Sequence, residues 1–227
     1  MWPTSKDKST NSLDHFSTDI CFSRPGDLSN STSKDLRCNY YWSNARKWWK
    51  VDILLNALSA LNSPVEIECV SSTGSGSPIC YVANENKVQI DASSFWNPFQ
   101  YRRALARGLV YAFDNARVSR LDYSNVDHLT CTSIRANNIS GECDLWTKWT
   151  EYIGEDPLGM NMYTMKQRCI RKKVSENILM ESKIHSSSDI EASIDSVWER
   201  CFRDHWPFTT EPHLDTRFRE SPLVSQT

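Results

Sequence analysis

Eight cysteines place the tightest constraint on what this 227-residue chain can fold into. Cys21, Cys38, Cys69, Cys80, Cys131, Cys143, Cys169 and Cys201 are spread widely, and none belongs to the C-x-x-C pair that a structural zinc site usually needs. Disulfides in an oxidising compartment are the favoured expectation, with free buried thiols as the alternative. Eight cysteines allow about 105 pairings, so the connectivity stays open at this level.

The length suits one ordinary hydrophobic core with tails. A formal charge of −2, with Lys and Arg scattered, argues against nucleic acid or an anionic membrane as an electrostatic partner. The longest apolar stretch, Val51 to Leu61, is interrupted by Asp52, Asn56 and Ser59, and falls short of the roughly 20 residues a membrane span requires. The expectation is a soluble or peripheral protein. The N-terminal residues follow neither a secretory nor a matrix-targeting pattern, so import by another route is expected. The sequons at Asn30 and Asn138 are read as chance.

Residues 1 to about 40 are rich in Ser, Thr, Asn and Asp, too polar to offset the entropy of ordering, which predicts an arm over 1–44 that is flexible or wraps a partner. The Tyr40-Tyr41-Trp42 cluster is either a partner anchor or packs on its own domain. A domain over 45–208 and a tail over 209–227 complete the expected organisation. Apolar steps of three and four predict a helix from Trp48 to Leu61. Alternation over Ile79–Ala83 and Lys87–Ile90 predicts a β-hairpin. Further helices are expected over Pro98–Val118, Met162–Met180, and from a capping box at Ser188 and Glu191 to Cys201. Together these make a small α+β fold.

The stretch Arg107-Gly108-Leu109-Val110-Tyr111-Ala112-Phe113-Asp114 resembles the active helix of the mitochondrial inner-membrane metalloproteases that process an ATP synthase subunit, a family also known as Ku-binding. Similarity continues through His128-Leu129-Thr130-Cys131, Arg135 to Cys143, and Cys201 to Phe208. The resemblance implies a zincin-like fold. It also implies a His-Glu-x-x-His zinc site at positions that here hold Arg107, Gly108 and Tyr111. An arginine stays protonated, a glycine has no side chain, and a phenol is a poor solitary ligand. No zinc and no other cofactor is therefore expected, and the chain is expected not to be an enzyme but a degenerate, pseudo-metalloprotease. Ser133 stands where the family has an acidic residue.

The expected role is a structural accessory subunit of a mitochondrial inner-membrane complex, ATP synthase first. Respiratory complex I or a free assembly chaperone for the synthase membrane sector are the alternatives. Its partners would be protein subunits, with no nucleic acid, and its place peripheral to the inner membrane on the intermembrane-space side. Arg107 and Tyr111 are expected to contact each other across the vacated cleft, with Gly108 allowing another backbone to approach. Asp114 and Arg117 are expected to form an ion pair, and His128 and His205 to orient loops. Cys69, Cys131, Cys143, Cys169 and Cys201 match family positions. Cys21, Cys38 and Cys80 are additions or shifts, and a Cys21–Cys38 bridge would tie the arm to the body.

Overall fold

A computed structural model describes residues 32–70, 77–144, 162–181 and 186–212. It begins with a helix, α1 (Thr32–Ala45), whose Cys38, Tyr41 and Ala45 recur at three- and four-residue steps and are buried. The polar composition had placed these residues in an arm. They are instead a packed helix, because three inward positions suffice when a large neighbour supplies the rest of the apolar surface. Tyr41 is part of the core and its hydroxyl donates to the Phe95 carbonyl at 3.3 Å, while Tyr40 stays exposed.

Helix α2 (Trp49–Ala60) buries Val51, Ile53, Leu54, Ala57 and Leu58. It ends at Ala60 with Leu61 as its C-cap, and Asn62, two residues before Pro64, follows in the left-handed region at φ 52°. Three strands follow: β1 (Glu66–Cys69), β2 (Ile79–Val82) and β3 (Lys87–Ile90). Their spatial order is β1-β3-β2, with β1 parallel and β2 antiparallel to β3. The expected hairpin is present. Asn86, at φ 48°, closes it, accepting from the Tyr81 hydroxyl at 3.0 Å and donating to the Pro64 carbonyl at 2.9 Å.

Helix α3 (Pro98–Arg117) is the central element, with Asn97 capping its first turn and Pro98 within that turn. Leu105, Ala106, Leu109, Val110, Ala112 and Phe113 are essentially inaccessible to solvent. Helix α4 (Val126–Ser140) was not anticipated, and every side chain from His128 to Ser140 on it is buried. Its sequence is mostly polar, so no apolar stripe announces it. Gly141, at φ 77°, ends it.

Helices α5 (Met162–Glu181) and α6 (Ser187–Arg203) cover α4. The capping box of α6 is Ser186 with Asp189, not Ser188 with Glu191. Both pairs fit the spacing, and only the backbone direction decides between them. Among the described residues, six helices around a three-stranded sheet make an α+β architecture, and no helix is long and apolar enough to cross a membrane.

Disulfides staple this body. Cys131–Cys201 joins α4 to α6, and Cys143–Cys169 joins the turn after α4 to α5, with Cα separations of 5.3 and 5.8 Å. Cys38 bonds Cys69, with Cα atoms 6.3 Å apart, and so fastens α1 to β1. That corrects the expected Cys21–Cys38 bridge: once α1 is folded onto the body, β1 brings Cys69 within reach. Cys80 is also disulfide-bonded, and Cys21 lies outside the described residues.

Candidate functional site

The middle of α3 forms one wall of a shallow cleft that opens to solvent. Arg107, Gly108 and Tyr111 line it, faced by Ile79 and Tyr81 of β2 and by Asn177 of α5. The sequence singled out the first three residues, and the structure brings them together on one surface, as spacing of three to four along a helix dictates. Asn177 and the β2 residues carry no sequence signal for this role.

Gly108 marks a close approach between α3 and the sheet. A Cβ there would sit 2.9 Å from Ile79 Cδ1 and 3.0 Å from Val88 Cγ1. The expected neighbour was backbone. The residues that press on the glycine are instead two aliphatic side chains of the hairpin. The expected Arg107–Tyr111 contact is also replaced. Arg107 Nη1 donates to Glu142 Oε2 at 3.4 Å, and the same oxygen accepts from Lys173 Nζ at 2.7 Å. Burial pushes the Glu142 carboxyl up, but Arg107 and Lys173 outweigh it and hold its pKa below the ordinary value. The Tyr111 ring packs against Tyr123 at 6.2 Å between centroids, and its carbonyl accepts from the Tyr123 hydroxyl at 3.0 Å.

The zinc that the resemblance implies needs imidazole, thiolate or carboxylate donors. A guanidinium already paired to Glu142, a glycine and a phenol do not fit that set. Among the described residues, no group of three His, Cys, Asp or Glu side chains is placed to hold a metal ion.

Behind the cleft, α3 carries a buried charge cluster. Asp114 accepts from Arg117 Nε at 2.9 Å, and from Arg135 of α4. Asp114 and Arg135 have no side-chain exposure at all. Arg117 reaches Asp204 at 2.5 Å, and Arg135 Nε bonds the Asp204 carbonyl at 3.1 Å while its other arm holds the Trp206 carbonyl. Burial pushes the Asp204 carboxyl up, yet Arg135 and Arg117 prevail and keep its pKa low. The Asp114–Arg117 pair was legible as a three-residue step on a helix. Arg135 and Asp204 were not, because they lie 21 and 90 residues beyond Asp114 in the chain and meet it only through folding. His128 Nδ1 accepts from the Asp122 amide at 3.2 Å, and His205 Nε2 lies 3.3 Å from the Asn138 amide nitrogen, so each secures a loop.

A disulfide-stapled, helix-rich α+β domain with a cleft on its central helix is the class that these elements define. Residues 37–209 match the model of the Peptidase M76 family, and the chain belongs to that family. It is 29% identical over 173 residues to the human mitochondrial inner membrane protease ATP23 homolog, covering 74% of this chain and 67% of that protein. It is 30% identical over 153 residues to the Xenopus laevis protein of that name, covering 66% and 60%. Against the Danio rerio one it is 32% identical over 111 residues, covering 49% and 41%. The chain thus spans between two-fifths and two-thirds of these relatives. No solved structure matches it.

These names overturn the expectation that the chain is not an enzyme. The relatives are named as proteases and the family as peptidases, which points to an enzyme class.

Proposed function

We propose that this chain serves at the mitochondrial inner membrane as an accessory subunit of a multi-subunit complex, with ATP synthase the first candidate host. Its body, centred on residues 45–208, is taken to be a zincin-like domain on the intermembrane-space side, where oxidising conditions suit the cystines. The observation that carries the proposal is the cleft on α3. Its wall presents a paired guanidinium, a glycine filled from beneath by Ile79 and Val88, and a phenol. Such a surface has shape and charge with which to hold a segment of a neighbouring protein. Respiratory complex I is the alternative host, and a free assembly chaperone the alternative role.

The relatives' names favour a second reading, peptide-bond hydrolysis at the inner membrane. Native-gel migration of the endogenous protein, with mass spectrometry of its band, tests the first. Stoichiometric presence in a mature complex supports an accessory subunit, and a band at monomer size rules it out. Cleavage of inner-membrane subunits by the purified protein, lost on chelation, would establish the second.

A further inference from the structure

We propose that the α3 cleft binds a peptide carboxylate, held by the guanidinium of Arg107. This rests on the protein-holding role above and assigns it a chemistry.

Arg107 has a side-chain exposure of only 12%, yet among the described residues its acceptor is Glu142, at the long distance of 3.4 Å. A guanidinium carries five N–H donors in a rigid fork, so most of its capacity is unused among the described residues. Glu142 does not neutralise it. That carboxylate is held more closely by Lys173, at 2.7 Å, and it also faces Arg103, whose other anion, Asp144, is shared with Lys50 and Lys166. The excess positive charge lies beside an open space that Arg107 itself lines. From α5, Asn177 adds an amide to the lining, a donor for a second carboxylate oxygen or a peptide carbonyl. Ile79 and Tyr81 of the outer strand β2, both almost fully buried, close the inner side of the cleft, and Ser77 adds a hydroxyl at its rim. Two of the walls are fixed: α3 is buried over most of Tyr101 to Asp114, and β2 is paired antiparallel with β3. A preformed, partly desolvated guanidinium is the arrangement that strengthens a charge-assisted, bidentate bond to carboxylate.

The carboxylate is either a peptide's C-terminus or an Asp or Glu side chain. Fluorescein-labelled hexapeptides of alternating Ala and Val separate the two: one with a free C-terminus, one amidated, and one amidated but carrying an internal Glu. Binding to the full-length, oxidised protein is followed by fluorescence polarisation. The expected result is about tenfold tighter binding of at least one acidic peptide over the amidated neutral one. That preference should weaken with salt and disappear in Arg107→Gln. Arg107→Lys, which keeps the charge without the fork, should retain part of it. Equal binding of all three peptides to the native protein, or no binding of any, overturns the proposal without any variant having to fold. So does a preference that survives in Arg107→Gln. Failure here leaves the assembly role standing, because native-gel migration reads that role independently.

Discussion

At Gly108 two opposing effects of similar size meet. Alanine would gain about 1 kcal/mol in a helix interior. Its methyl, however, would press on Ile79 Cδ1 and Val88 Cγ1, and overpacking costs about 1–3 kcal/mol. The expected outcome for Gly108→Ala is a net loss of about 1 kcal/mol in chemical denaturation. Adding Ile79→Val should recover much of it, because the offending atom is removed; additive losses in the double variant would show that the contact is not the cause. Asp114 poses a starker case. Asp114→Asn leaves the fully buried Arg135 guanidinium with Asp204, at 3.1 Å, as its remaining carboxylate, and a loss of about 3 kcal/mol is expected. An unfolding midpoint within experimental error of the native one would refute the assigned role of this pair.

At the scale of elements, α4 depends on its neighbours more than any other helix. Its buried residues include Thr130, Thr132, Ser133, Asn137, Asn138 and Ser140, so hydrophobic transfer contributes less to placing it than for α3. Hydrogen bonds and cystines do much of that task. Asn138 donates to the Phe202 carbonyl at 2.9 Å, and Ser193 of α6 donates to Asp127 at 2.6 Å. Cys131–Cys201 closes a separation of 70 residues, and replacing both cysteines by alanine should cost about 4 kcal/mol on the chain-entropy model. Hydrogen exchange should then show α4 and α6 opening together while α1 and α2 stay protected. Uniform loss of protection across all helices would mean that the bridge steadies the whole body rather than this pair.

Across the whole molecule, buried titratable groups set a pH profile. Asp204 and Glu142 titrate below their ordinary values, for the reasons of charge given above, and burial lowers His205. Groups with depressed folded values contribute stability that is present above their unfolded pKa, about 4 for the acids and 6.5 for histidine, and that is lost on acidification. Lys50 extends the trend upward. It has no side-chain exposure, donates to the Ile139 carbonyl at 2.9 Å, and burial pulls its pKa down to about 8 despite Asp144. Between about pH 8 and 10 the unfolded lysine is protonated and the folded one is not, so stability rises with pH there. Burial raises Tyr81 to about 12 and raises Tyr101 further, which reverses the trend above about pH 10, where unfolded tyrosines ionise. Urea unfolding midpoints should therefore climb from pH 5 to a maximum between about pH 9 and 10. Lys50→Met should flatten the limb above pH 8, and a native profile already flat there would refute the assignment to Lys50.

Local pattern was enough for α2, the β2–β3 hairpin, α3 and the extent of α5, because each is written in apolar spacing or turn chemistry within a few residues. It also brought Arg107, Gly108 and Tyr111 onto one helix face, since helical geometry alone fixes that relation. Pattern failed for α1 and α4, whose burial comes from neighbours rather than from their own composition, and it chose the wrong of two adjacent caps for α6. The cystine pairing, the Arg135–Asp114–Asp204 cluster and the Glu142 partner of Arg107 belong to tertiary structure alone. Each joins residues far apart in the chain, and an ion pair or disulfide depends on where side chains arrive in space, which no local periodicity encodes.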